Sequence, residues 1–144
     1  AVASFENTST KAQAIVLKAD KVNPDGTVPE DAKRLEGAEF TLYKVDAKDS
    51  KDNMVLVDTK KTDGNGEITF DNLDIFKAGK NGNGSVKEYQ WYYVVETAAA
   101  EGYTLSTNEK WFSFEGGHYD STKNCYTHSF AALSLFALIA HYSI

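Results

Sequence analysis

The sequence predicts an all-β fold, an antiparallel β-sandwich or a partly closed barrel of about seven short strands. Three observations predict it. Runs of β-branched and aromatic residues with period-two alternation recur along the chain, separated by turns rich in Gly, Asn, Asp and Pro. No apolar stripe of helical period and normal length appears before residue 130. Tyr and Phe number eight each against one Met, a composition weighted toward sheet formers.

Residues 1–13 are small and polar and read as an N-terminal arm. A first strand is expected over Ala14–Val22, with Ile15 and Leu17 on one face and Val16 and Lys18 on the other. Asn23–Arg34 holds both prolines, Pro24 and Pro29, beside Asp25-Gly26, and reads as a turn-rich loop. Leu35–Val45 is a second strand whose Ala38, Phe40 and Leu42 share a face. Met54–Lys60 is a third. Thr62-Asp63-Gly64-Asn65-Gly66 is a turn signal, so Met54–Lys60 and Glu67–Phe70 are expected to form a hairpin. Asp71–Gly84 reads as a Gly/Asn/Lys loop.

Ser85–Thr97 is expected as the central strand. Within it Tyr92, Val94 and Glu96 share one face, and Trp91, Tyr93 and Val95 the other. Both faces are apolar, so cover on both sides is expected. Glu96 on such a face is an expensive place for an ionised carboxylate, so it either lies at a wet rim or is buried with a partner. Lys110–Glu115 and Cys125–Phe130 complete the strands expected of a domain at residues 14–130. Residues 131–144 form an apolar tail, and no Asp, Glu, Lys or Arg follows Lys123. Phe130–Ile144 is short of the ~20 residues a membrane helix needs. Three readings of the tail stay open: a final strand, a segment donated to a neighbouring subunit, or a membrane-associated end.

At 144 residues the chain suffices for one domain with a core. A net charge of −6 argues against a general nucleic-acid binder, which needs a basic face. Cys125 is the single cysteine, so no intramolecular disulfide is possible. His118, His128 and His141 lack metal-ligand spacing. Asp63-Gly64-Asn65-Gly66-Glu67-Ile68 is similar to the middle of a calcium loop, but Lys61 and Asn72 stand where the loop needs its first oxygen ligand and its bidentate Glu. No nucleophile elbow, phosphate loop or dinucleotide fingerprint occurs.

Three pieces stand in order: Val16-Leu17-Lys18-Ala19-Asp20, Leu35-Glu36-Gly37-Ala38-Glu39-Phe40-Thr41-Leu42-Tyr43, and Val95-Glu96-Thr97-Ala98-Ala99-Ala100-Glu101-Gly102-Tyr103. Between them lie Asp63-Gly64-Asn65-Gly66 and Ile68-Thr69-Phe70. From Ala14 to Phe114 the chain resembles a CnaB-type, SpaA-like pilin or adhesin domain of Gram-positive surface proteins. The resemblance implies an immunoglobulin-like sandwich of the prealbumin type, stapled by a spontaneous isopeptide bond. It implies that Lys18 is the attacking amine and Glu96 the catalytic acid. In that chemistry burial disfavours the charged forms of both groups. The neutral amine attacks an Asn or Asp carbonyl that the acid polarises, and the acid passes protons to the departing ammonia or water. No cofactor is required, and each domain reacts once.

The resemblance places the acceptor on the last strand, but nothing from Cys125 to Ile144 is Asn or Asp. Asn124 is the candidate, with Asp120 behind it. The residues alone leave Lys18 and Glu96 open to a simpler reading, a buried ion pair or two rim residues. The chain carries no Leu-Pro-x-Thr-Gly sorting signal and no Tyr-Pro-Lys motif. The function the resemblance implies is a structural subunit or stalk module of a bacterial surface pilus, extracellular, self-associating or joined to other pilin subunits. The alternative is an adhesin module for a host matrix protein or carbohydrate. The long loops Asn23–Arg34 and Asp71–Gly84 hold one aromatic, Phe76, which counts against it. Nothing in the sequence supports an enzyme with turnover.

Overall fold

The structure, a computed structural model, describes residues 11–25, 27–81, 87–105, 109–115, 118–120, 125–130 and 136–142, with side chains for 11–25, 27–78, 88–105 and 109–115. No helix occurs among them. The strands in chain order are β1 (Lys11–Lys18), β2 (Glu39–Val45), β3 (Val55–Lys61), β4 (Glu67–Asp74), β5 (Phe76–Asn81), β6 (Lys87–Tyr89), β7 (Trp91–Ala98), β8 (Glu109–Phe112), β9 (His118–Asp120), β10 (Cys125–Phe130) and β11 (Phe136–Tyr142). One sheet runs β4-β1-β11-β10-β9, a second runs β3-β2-β7-β8, and β5 pairs with β6 apart from both. Each pairing is antiparallel.

Alternation decides which residues meet between the sheets. On β1, Ala12, Ala14, Val16 and Lys18 are buried while Gln13, Ile15 and Leu17 are half-buried. On β7, Tyr92, Val94 and Glu96 face inward. Ile68, Phe70 and Leu73 of β4, Phe40 and Leu42 of β2, and Phe112 join them in one apolar cluster. Burying each large apolar side chain contributes about 1.5–3 kcal/mol. Tyr92 stacks on Phe112 at 5.4 Å, and Phe114 meets Phe112 edge-on at 5.7 Å. The Tyr92 hydroxyl reaches out of this core to donate to the Asp74 carbonyl at 2.8 Å. Burial, chiefly, pushes the Tyr92 phenol well above its usual value. The outer face of β7 is covered by rings: Tyr93 lies 4.9 Å from Trp111 and 5.9 Å from Tyr43.

Several expected boundaries move. β1 begins at Lys11, inside the segment read as an arm, and ends at Lys18 instead of Val22. The stretch read as a loop over Asp71–Gly84 extends β4 to Asp74 and then forms β5. The central strand is broken at Gln90, whose N–H donates to the Ile75 carbonyl at 2.9 Å. Residues 54–60 and 67–70 do not form a hairpin: β3 pairs with β2, and β4 with β1, in different sheets. The turn chemistry is nonetheless present, since Asp63 Oδ1 accepts from the Asn65 and Glu67 N–H groups at 2.9 and 3.0 Å. A local turn signal fixes a reversal of direction, and the strand edge waiting beyond it decides the partner. Within the tail, Phe136–Tyr142 is a strand, β11, inserted between β1 and β10.

Candidate functional site

Lys18 is the last residue of β1 and Glu96 lies near the end of β7, so each sheet supplies one of them. Their side chains are 2% and 0% exposed, and Lys18 Nζ donates to Glu96 Oε1 at 3.3 Å. Sequence reasoning singled out both residues, and the fold brings them together across the interior.

The chain around Lys18 holds it from several sides. Its N–H donates to the Gly66 carbonyl at 2.8 Å, and its carbonyl accepts from Leu35 N–H at 3.0 Å. Gly66 has φ +70°, and a Cβ there would stand 2.6 Å from the Lys18 carbonyl oxygen, so the turn closes on β1 only with glycine. Thr62 fixes the same region: its hydroxyl donates to the Leu35 carbonyl at 2.7 Å and accepts from Ala38 N–H at 3.0 Å. Glu96 is set by register. Phe40 of β2 is its Cα partner, and the next residue, Thr97, donates to Glu39 Oε1 at 2.7 Å. Thr41 and Thr97 hydroxyls lie 3.1 Å apart and tie the same two strands.

Asn124, the acceptor the sequence nominates, lies outside the described residues. Its neighbour Cys125 begins β10 at the end of the sheet away from Lys18. Tyr126 pairs with Tyr142, and Tyr142 pairs with Ala12, six residues before Lys18, or about 20 Å along a strand. Asp120 pairs with Cys125 and stands at that same end. Directly beside Lys18 in the sheet is Phe136 of β11, a strand reading Phe-Ala-Leu-Ile-Ala-His-Tyr with neither Asn nor Asp.

A second buried lysine escaped sequence reasoning. Lys110 of β8 is 9% exposed and pairs with Val94, on the inward face it shares with Phe112. Burial holds its ammonium below the ordinary lysine value. The signal was the alternation in Lys110-Trp111-Phe112-Ser113-Phe114, which sets Lys110 on the face of the two phenylalanines.

With this geometry in view the comparisons decide the family. The model of the SpaA prealbumin-like fold domain matches residues 21–124. The chain belongs to this family. Among solved structures, a double mutant of the shaft pilin SpaA from Lactobacillus rhamnosus GG is similar, at 26% identity and TM-score 0.54, over 72% of this chain and 43% of that one. A single mutant of the same shaft pilin is similar at 25% identity and TM-score 0.54, over 75% of this chain and 45% of that one. The N-terminal domain of that shaft pilin is similar at 25% identity and TM-score 0.51, over 72% of this chain and 83% of that domain. The SpaA-family chain therefore spans less than half of the whole shaft pilin. No curated protein matches it. The family and the likeness to shaft pilin agree with the all-β prealbumin-like sandwich that the sequence predicts.

Proposed function

We propose that this chain is a structural subunit or stalk module of a bacterial surface pilus, and that Lys18 and Glu96 are the amine and the acid of an autocatalytic isopeptide crosslink. Likeness to a shaft pilin supports the first half. The buried 3.3 Å contact between Lys18 and Glu96 is the observation that carries the second.

The chemistry follows from the dry interior. Taking two charges out of water costs more than their attraction returns unless the geometry is favourable. A neutral amine beside a protonated acid carries the same protons without that cost. Such an amine has its lone pair free, and such an acid can hydrogen-bond an incoming carbonyl. The Nζ–C bond forms as the C–N bond of an Asn carboxamide, or the C–O bond of an Asp carboxyl, breaks. Ammonia or water leaves, carrying the one proton that the neutral amine gives up through Glu96. Holding the groups in place can supply up to about 7–11 kcal/mol of the barrier. The reaction happens once per chain, so this is not turnover. The carbonyl has to reach Lys18 Nζ: Asn124 is the donor the sequence nominates, and since its neighbour Cys125 stands at the far end of the sheet, another Asn or Asp is the alternative.

Intact mass tests the crosslink. A deficit of about 17 daltons marks ammonia lost from Asn, and about 18 marks water lost from Asp. Lys18→Ala and Glu96→Ala should each restore the full mass. The full mass in the unaltered chain overturns the crosslink. The subunit half has its own test, since antibody to this chain should decorate fibres on the producing cells.

A further inference from the structure

At the end of the sandwich where β2 stops and β7 starts, a cleft of about 730 Å³ opens to solvent. Its walls carry Tyr89 and Trp91 and, around them, Asp46, Lys77, Glu88 and Glu115. No residue of the Lys18–Glu96 site is among them. The wall is built: the Tyr89 ring packs against Phe76 at 5.0 Å. Gln90 Nε2 donates to the Val45 and Trp91 carbonyls at 3.0 and 2.9 Å, tying the β6–β7 joint to the end of β2.

The lining is aromatic and net negative. Three carboxylates face one ammonium, and that ammonium, on Lys77, already lies 3.4 Å from Glu88 Oε2. Metal binding is not what this set offers, because among the described residues no three acidic, His or Cys side chains stand close enough to hold an ion. The adjoining stretch of the same sheet face shows what ring and carboxylate hold together. Trp91 and Tyr93 are two residues apart on β7 and share its outer face. Beside Tyr93, Lys51 Nζ lies 5.4 Å from the ring centroid and ion-pairs with Glu109. There the chain supplies its own lysine to an aromatic face and a carboxylate. The cleft repeats that arrangement with two rings and more carboxylates, and has the volume for a ligand from outside.

We propose that the cleft binds the ammonium of a lysine side chain presented by an extended peptide segment of a partner protein. The Trp91 face attracts the cation, and the flanking carboxylates take its N–H groups. Charge complementarity selects this occupant, since a net negative, ring-lined cleft repels acidic segments and gains little from neutral ones. The inference does not depend on the crosslink or on fibre assembly.

The test uses the full chain labelled with ¹⁵N. It has two tryptophans, so two indole N–H signals are expected, and Trp91→Phe assigns them. The Trp111 indole donates to the Ser50 carbonyl at 2.9 Å and serves as the internal reference for folding. The probes are a capped trilysine peptide and the same peptide with its side chains acetylated. Trilysine should move the Trp91 signal saturably, with an affinity on the order of millimolar that weakens as salt is added. The acetylated peptide should leave the signal in place. In an Asp46→Asn/Glu115→Gln variant whose Trp111 signal is unchanged, trilysine should bind about tenfold more weakly. No response to trilysine overturns the proposal. So does an equal response to the acetylated peptide, or undiminished binding in the variant.

Discussion

Lys18 and Glu96 are the most consequential residues in the molecule because each is costly without the other. Removing one partner of a buried ion pair typically costs about 3–5 kcal/mol, while replacing both by apolar groups of similar volume is often neutral. Lys18→Met should therefore destabilise the chain by about that amount in urea unfolding, and adding Glu96→Leu should return much of it. A closed crosslink adds its own loss to both variants, because neither can form it. A bond spanning a loop of about a hundred residues stabilises by roughly 4–5 kcal/mol through the unfolded chain, on the analogy of a disulfide. The double variant should then stay below the unaltered protein by that much. Full recovery would mean that Lys18 and Glu96 are only an ion pair. Lys110 is a second lysine in the buried set, and burial holds its ammonium below the ordinary lysine value.

Among the elements, the turn at Asp63–Gly66 does more than reverse the chain, because it sets the backbone of Lys18. Gly66→Ala would force a Cβ to 2.6 Å from the Lys18 carbonyl oxygen and 3.1 Å from Leu35 N, at a φ of +70°. The strain should cost about 1–3 kcal/mol, read as a lower midpoint in urea. It should also push Lys18 away from Glu96, and so slow the proposed crosslinking in freshly refolded protein followed by mass. An unchanged midpoint would show that the turn relaxes without touching β1. The sequence made part of this legible. The alternations in Ala14-Ile15-Val16-Leu17-Lys18 and Tyr92-Tyr93-Val94-Val95-Glu96 put Lys18 on the face of Ala14 and Val16 and Glu96 on the face of Tyr92 and Val94, and the structure turns both of those faces inward. What it hid were pairings. Asp63-Gly64-Asn65-Gly66 signals a reversal whether the next strand pairs with the previous one or crosses to the other sheet. Leu35–Ala38 has strand composition, but Gly37 at φ +89° and the Thr62 hydroxyl bonds hold it as a bend under Lys18. The position opposite Lys18 was beyond reach as well, because register between distant strands is written in packing and not in local pattern.

For the whole molecule, the apolar tail is where the sequence left most open and where the architecture is most exposed to change. As a donated segment, residues 131–144 would be dispensable for folding, and their loss would abolish polymers alone. The sheet order argues otherwise. β11 lies between β1 and β10, with seven residues in register with β1 and five with β10. Removing it strips β1 of one neighbour and cuts β10 and β9 from the rest of the sheet. β1 carries Ala12, Ala14, Val16 and Lys18 into the interior, so its loosening opens the core along the strand that bears the amine. Domains hold only about 5–15 kcal/mol of net stability, and two lost ladders with exposed core are a large share of that. The chain ending at Phe130 should lose its cooperative thermal transition by circular dichroism, and Glu96 should become reachable by water-borne carbodiimide. A truncated chain that melts at the original temperature would instead mark β11 as a lodger in the sheet, replaceable by a strand from a neighbouring subunit that could bring the missing Asn or Asp to Lys18.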